Sequence, residues 1–138
     1  MINAIQIALS GLNAASRKVD AAASNIANMT TSGALDPADG PAPYQAVTTA
    51  QSAISGNDGE SLGVESRVVP ASRPFVPAYD PGSPFANADG LIGAPDVDLA
   101  EEAVNLQIAS TTYKANLKTI QVASDMQDAL LDMFDRNA

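Results

Sequence analysis

The stretch SNIANMTTSG (residues 24–33) closes an alanine-rich segment that is otherwise typical of a helix. It carries two asparagines three residues apart, Asn25 and Asn28, and then the turn-forming residues 31–33. Residues three apart lie on one face of a helix. The stretch therefore predicts the end of a first helix, with two amides on a face that packs against a neighbour.

Helix-breaking residues divide the chain into three segments. All nine prolines lie between Pro37 and Pro95, and eight of the nine glycines lie between Gly33 and Gly93. The two ends are left free to form long helices. We predict one structural domain with an N-terminal helix in 1–30, a Gly/Pro-rich insert in 31–95 and a C-terminal helix in 96–138.

Apolar and small residues recur at both ends in alternating steps of three and four, which is a heptad pattern. In the first helix they are Ile2, Ile5, Leu9, Leu12, Ser16, Val19, Ala23 and Ile26. In the second they are Leu99, Ala103, Leu106, Ser110, Tyr113, Leu117, Ile120, Ser124, Gln127, Leu131 and Phe134. The pattern favours coiled-coil or bundle packing over an amphipathic helix on an ordinary core.

The insert has a different character. Residues 44–54 and 62–69 are rich in β-branched side chains and are separated by turn residues, which predicts a β-hairpin. Residues 69–85 carry a proline every three or four positions and are expected to be extended and irregular. The predicted fold class is mainly α, with this short hairpin in a loop-rich insert. Asp98 and Glu101 have the spacing of a capping box at the start of the second helix.

The predicted core is too small for a self-sufficient protein. Alanine accounts for 26 of the 138 residues, and it contributes far less on burial than the roughly 1.5–3 kcal/mol of a Val, Leu or Phe. The second predicted helix is also longer than the first, so one end of its heptad pattern has no match within the chain. We therefore expect another molecule to bury the rest of that pattern.

Composition disfavours several classes of function. The net charge of −9 argues against binding to nucleic acid or to anionic membranes. The chain has no cysteine and no histidine, which removes the commonest general base and metal ligands. We expect no enzymatic activity, no cofactor, no metal and no small-molecule substrate. We also expect neither a cleaved signal peptide nor a membrane span.

Residues 8–33 resemble the shared N-terminal motif of bacterial flagellar axial proteins, which are the rod, hook and hook-associated subunits. The motif is present as Ser10-Gly11-Leu12, Asn25-Ile26-Ala27-Asn28 and Thr31-Ser32-Gly33. The order and spacing both fit that pattern. An aromatic residue that often follows the final turn is replaced by Ala34.

Residues 79–116, YDPGSPFANADGLIGAPDVDLAEEAVNLQIASTTYKAN, resemble the proximal rod subunits of the same family. The resemblance lies in Tyr-x-Pro-Gly-x-Pro, in the Pro-x-Val-x before the helix and in Tyr-x-Ala-Asn within it. Asp96, Ala103 and Thr111 depart from the usual Asn, Met and Arg. These departures affect individual contacts more than the resemblance as a whole.

The resemblance implies a structural subunit of the bacterial flagellar basal-body rod. Such a subunit is exported unfolded by the flagellar type III apparatus without a cleaved signal peptide. It then polymerises in the periplasm with copies of itself and other rod proteins into a helical driveshaft. The alternatives are another type III-secreted protein of the needle or translocator kind, a stand-alone coiled-coil adaptor and a carboxylate-based enzyme.

We expect the subunit-packing residues to lie on the two helices. They are Ile5, Leu9, Gly11, Leu12, Val19, Asn25, Ile26, Asn28, Leu99, Leu106, Tyr113, Asn116, Leu117, Ile120 and Leu131. Gly11 would permit close approach of helices. Asn25 and Asn28 would fix the register between adjacent subunits by hydrogen bonds; in the alternative, Asn28 only ends the helix and Asn25 is exposed.

Overall fold

The computed structural model describes residues 2–135 and the side chains of residues 3–135. The side chain of Ile2, the first heptad position, lies outside this range, as do Met1 and residues 136–138 of the two predicted helices. The chain order is α1 (Ile2–Asn28), β1 (Val47–Ser55), β2 (Ser61–Pro70), β3 (Phe75–Tyr79), β4 (Leu91–Pro95) and α2 (Leu99–Asp135).

Two long terminal helices around a central hairpin are confirmed, but the fold has more β-structure than expected. The helices hold 27 and 37 residues, which is less than half of the chain. The insert forms two separate two-stranded antiparallel sheets, β1–β2 and β3–β4. The class is therefore better described as two long helices with two small sheets than as mainly α.

Helix α2 begins where Asp98 caps its first turn. One carboxylate oxygen of Asp98, Oδ1, accepts hydrogen bonds from the backbone N–H groups of Ala100 (2.8 Å) and Glu101 (3.3 Å). These two donors of the first turn have no partner within the helix. The carboxylates of Glu101 and Glu102 also lie where the helix dipole favours negative charge.

The first hairpin lies where the sequence predicted it. Val47 at the start of β1 pairs with Pro70 at the end of β2, and residues 56–60 form the turn. The turn is closed by the bond from Gly56 N–H to the carbonyl of Glu60 (2.8 Å). The hairpin packs against α1.

The second sheet corrects the prediction that residues 69–85 are irregular. Phe75–Tyr79 is a strand, and it pairs with Leu91–Pro95, where no strand was predicted. Pro77 suppressed the strand signal because proline cannot donate to a sheet. It is tolerated here because each strand of a two-stranded sheet has one unpaired edge.

The two helices pack antiparallel through small residues. Gly11 of α1 lies against Asn116 of α2, and Asn25 near the end of α1 bonds to Glu102 near the start of α2. Residues that share these faces at heptad spacing are buried alanines: Ala8, Ala15 and Ala22 on α1, and Ala109 and Ala123 on α2. The helix axes can approach closely because no large side chain separates them.

The buried side chains are mostly small, whereas an ordinary core buries large apolar ones. We call this arrangement the inverted burial. Among the described residues, the buried hydrophobic side chains are nine alanines and Ile92. The other large apolar side chains are half-buried or exposed, and Phe134 is 75% exposed. Alanine burial stabilises little, so the single chain has a weak core.

The predicted overhang of the second helix is present. At about 1.5 Å per residue, α1 and α2 are about 40 and 55 Å long. Because the pairing is antiparallel, the end of α2 extends beyond the start of α1. Every residue from Ser124 to Asp135 is exposed.

Candidate functional site

Asn25 joins three elements of the fold. It is 2% exposed and is the buried polar residue of the described chain. Its Nδ2 donates to the carbonyl of Val47 (2.8 Å) and to Oε1 of Glu102, while its Oδ1 accepts from Val47 N–H (2.9 Å) and from the Tyr44 hydroxyl (3.1 Å). Both donors and both acceptor positions of the amide are used.

The two asparagines differ in their hydrogen-bond partners. Within the single chain, Asn25 fixes β1 against α1 and α2, so the alternative that it is exposed is wrong, whereas its role in the register between subunits stays a prediction. Asn28 is half-buried, and its Nδ2 donates to the carbonyl of Ser24 (2.9 Å), which helps to end α1. The sequence motif therefore marks a junction inside the subunit.

The Thr31-Ser32-Gly33 turn fastens the insert to the end of α1. The carbonyl of Thr31 accepts from Tyr44 N–H (3.0 Å), and Gly33 exchanges two backbone hydrogen bonds with Gly93 of β4 (3.0 and 2.9 Å). A Cβ on Gly33 would lie 2.5 Å from Pro43 N, and one on Gly93 would lie 2.7 Å from Pro43 Cγ. Both glycines are required for this close approach.

Ser10 and Gly11 contact two different elements, since Ser10 bonds to β2 and Gly11 packs against α2. Ser10 Oγ donates to the carbonyl of Ile7 (2.7 Å) and accepts from Val64 N–H of β2 (3.0 Å). Gly63 faces Ser10 with φ of 125°, a conformation that other residues rarely adopt. On its other side, Gly11 leaves space for the side chain of Asn116.

The residues of the two predicted heptads lie on one side of the helix pair, which we call the open face. A groove of about 360 Å³ on this side is lined by Ser16, Val19, Ser110 and Tyr113, all of them predicted heptad positions. Heptad spacing places the other members on the same side. The β1–β2 hairpin contacts α1 from a different side, through Ser10 and Asn25, and leaves this face uncovered.

The predicted packing residues differ in burial. Asn25 is buried; the half-buried ones are Ile5, Gly11, Leu12, Ile26, Asn28, Leu106, Asn116 and Ile120. The exposed ones are Leu9, Val19, Leu99, Tyr113, Leu117 and Leu131. Gly11 and Asn116 meet inside the chain, whereas the exposed set has its apolar surface free for a neighbour.

A second apolar stripe runs along α2, and it was not among the predicted packing residues. Val104, Ile108, Val122 and Met126 are all exposed, and Ala115 continues the same spacing on the flank away from the groove. The signal was present as a second heptad series, offset from the first. A helix with apolar residues on two flanks is typical of one that packs against several neighbours.

A second cavity of the described chain is polar. It has a volume of about 580 Å³ and lies between α1, β1 and the start of α2, with Asp98, Glu101 and Glu102 in its lining. Arg73 pairs with Asp96 at its edge (2.7 Å). Within residues 2–135, no group of three or more acidic side chains is arranged to hold a metal ion. No helix in that range has the length and apolarity needed to cross a bilayer.

Comparisons with known proteins identify the family. Residues 5–34 match the family described as "Flagella basal body rod protein", and residues 88–133 match "Flagellar basal body rod FlgEFG protein C-terminal". The chain is 35% identical over 130 residues to the flagellar basal-body rod protein FlgC of Salmonella typhimurium, covering 91% of this chain and 92% of that one. The chain belongs to the FlgC family of flagellar basal-body rod proteins.

Other members of the FlgC family are similar over nearly the whole chain. FlgC of Agrobacterium fabrum is 30% identical, with 95% of this chain and 93% of that one covered. FlgC of Bacillus subtilis is 28% identical, with 90% and 91% covered. The two segments that match rod-protein families contain most of α1 with its closing turn, and β4 with most of α2. The Gly33–Gly93 pair joins the two segments.

We expect Gly11 and Asn116 to be energetically coupled. Alanine at a helical glycine position gains about 1 kcal/mol of helix propensity, but here its Cβ would lie 2.6 Å from the Asn116 amide. Gly11→Ala should therefore stabilise the protein only when Asn116→Ala has removed that amide. A double-mutant cycle from urea unfolding should give a coupling of about 1–2 kcal/mol; additive effects would contradict the close packing.

Proposed function

We propose that this protein is a structural subunit of the flagellar basal-body rod and that it joins its neighbours through the open face and the overhang of its terminal helices. The inverted burial carries this proposal. The chain buries alanines, while Leu117 (51% exposed) and Tyr113 (42% exposed) lie on the open face. Exposed apolar surface of this extent is typical of an interaction surface.

The fold supports a role as one unit of a larger stack. The hydrogen bonds of Asn25, Ser10 and Gly33 hold the insert on one side of α1. The other sides of the helix pair stay open to neighbours. A rigid junction combined with uncovered apolar helices is suited to a filament subunit, in which other copies or related subunits complete the core.

The resemblance to rod proteins extends the proposal to location and export. As a proximal rod subunit, the protein would pass unfolded through the flagellar type III apparatus and assemble in the periplasm, next to other rod proteins. A weak core favours such export because little free energy is needed to unfold it. The absence of cysteine in the 138 residues also avoids disulfide cross-linking in an oxidising compartment.

Substitution on the open face tests the function. Leu117→Glu places a carboxylate on a side chain that is exposed in the single chain, so the subunit should still fold and be exported. A neighbour would have to bury that charge, which costs several kcal/mol. We expect the variant to be present in the secreted fraction. Its amount in purified basal bodies should be at least tenfold lower than that of the wild type, and the cells should swim poorly.

Gln51→Glu is the matched control, since it adds the same carboxylate to an exposed position of β1. This control should enter basal bodies at wild-type amounts. Normal incorporation of Leu117→Glu would contradict assembly through the open face. Absence of the wild-type chain from purified basal bodies would contradict the rod function itself.

A further inference from the structure

We propose that the overhang of one copy, residues 124–135, docks in the groove between α1 and α2 of a second copy. This inference rests on the proposed function and names the partner of the open face. Two surfaces of the same chain carry it. One is an exposed amphipathic helix end, and the other is an exposed groove with an apolar lining and a lysine at its border.

The overhang separates its apolar and acidic residues. Its acids recur in steps of three, four and three, which places them on one helical face; they are Asp125, Asp128, Asp132 and Asp135. Its exposed apolar side chains, Met126, Leu130, Leu131 and Phe134, lie on the other side. A helix with this distribution requires an apolar groove bordered by positive charge.

The groove offers such a surface. Val19, Ala109 and Tyr113 provide its apolar lining, and Lys114 borders it on α2. Lys118 lies one turn further along α2, and its Nζ donates to Gln121 (3.0 Å). In the described part of the chain the ion pairs lie elsewhere, at Glu65–Arg67 and Arg73–Asp96, so both lysines remain available to carboxylates.

Asp20 is the unfavourable charge, since it borders the groove on the α1 side. The overhang is therefore expected to dock with its acidic face toward Lys114 and Lys118 on α2. Its apolar face would then cover Val19 and Tyr113. This orientation leaves Asp20 on the far rim, away from the four aspartates.

The overhang cannot occupy the groove of its own chain. α2 is one continuous helix from Leu99 to Asp135, so its end cannot fold back onto its middle. The contact must therefore join two copies, end of one to middle of the next. A head-to-tail contact between two different surfaces generates a ring if the rotation between copies closes, and an open helical array if it does not.

Cysteine cross-linking tests the contact. Because the chain has no cysteine of its own, only the introduced thiols can link two copies. The double variant Ser16→Cys, Leu131→Cys places one thiol at the groove and one on the overhang. Within one chain these positions are separated by about 30 Å, given about 1.5 Å per residue along the helices. A disulfide requires Cα atoms within about 7 Å, so any bond formed joins two copies.

The matched control is Ala115→Cys, Leu131→Cys, whose first thiol lies on the flank of α2 away from the groove. Mild oxidation of purified basal bodies should give disulfide-linked dimers and higher species for the groove variant, at least fivefold above the control. Oxidation of the concentrated purified chain provides a second readout that does not depend on rod assembly. Adding Lys114→Glu and Lys118→Glu should lower the groove yield at least threefold.

The outcomes separate this inference from the proposed function. Reducing gels report whether the chain is in the rod, and non-reducing gels report what the overhang touches. The docking inference would be overturned if the chain is present in basal bodies but its copies are not linked, or if the groove and control variants give equal yields of disulfide-linked dimers. The rod function would stand in either case. Cross-links to another rod protein in place of a second copy would overturn it in the same way.

Discussion

Asn25→Asp is expected to lower the free energy of unfolding by about 3 kcal/mol or more. The aspartate keeps an acceptor for Val47 N–H and for the Tyr44 hydroxyl, but it loses both amide donors. The carbonyl of Val47 is left without its partner, and the new carboxylate faces that of Glu102. An unpaired buried polar group costs about 1–3 kcal/mol, and a buried like-charge contact adds to this.

A second substitution, at Glu102, tests whether the lost stability comes from the contact between residues 25 and 102. Glu102→Gln supplies an amide that can donate to the new carboxylate, so Asn25→Asp, Glu102→Gln should recover about half of the lost stability. Asn13→Asp, on an exposed position of the same helix, should change the stability by less than about 0.5 kcal/mol. Urea unfolding followed by circular dichroism measures all four proteins. Equal effects at residues 13 and 25 would contradict the junction.

Gly33→Ala is expected to detach the insert from the end of α1. The added Cβ would lie 2.5 Å from Pro43 N and 2.6 Å from the carbonyl carbon of Ala42. These are backbone atoms, so no side-chain rotation relieves the overlap. The two hydrogen bonds with Gly93 are then lost or strained, and we expect a loss of about 2–4 kcal/mol in the free energy of unfolding.

Gly82→Ala is the control for this substitution. A Cβ at residue 82 would meet its nearest atom, Asp80 Oδ1, at an ordinary contact distance of 3.7 Å. A loop glycine without strain is neutral or gains up to about 1 kcal/mol on replacement by alanine. Amide hydrogen exchange should show faster exchange at Gly93 and Tyr44 in Gly33→Ala only. Unchanged protection there would mean that the turn does not fasten the insert.

Much of the architecture was predictable because it depends on local chemistry. The Asp98 cap, the proline-free termini and the turn at 56–60 each act within a few residues, and each appears where the sequence placed it. The difference in helix length also followed from counting residues. The β3–β4 sheet was not predictable in this way, since the pairing of residues 75–79 with 91–95 crosses a long connection and includes Pro77.

The heptads predicted the residues of the open face but not the residues through which the two helices meet. The heptads at Leu9, Val19 and Leu117 indicated helix packing, and these residues were expected to pack between subunits. The structure shows that the helices meet through alanines and Gly11, one position away in the pattern. Small residues carry little signal in a hydrophobic pattern, yet they permit the closest helix approach.

By itself, the sequence determined that this protein has two long terminal helices, a longer second helix and a composition unsuited to a large core. Those properties follow from local propensity and from the number of large apolar side chains. Only the tertiary structure decided that Asn25 bonds within the subunit, that Ser10 and Gly33 hold the hairpins, and which helix faces remain open. These depend on contacts between residues distant in the chain, which no periodicity within a single segment can specify.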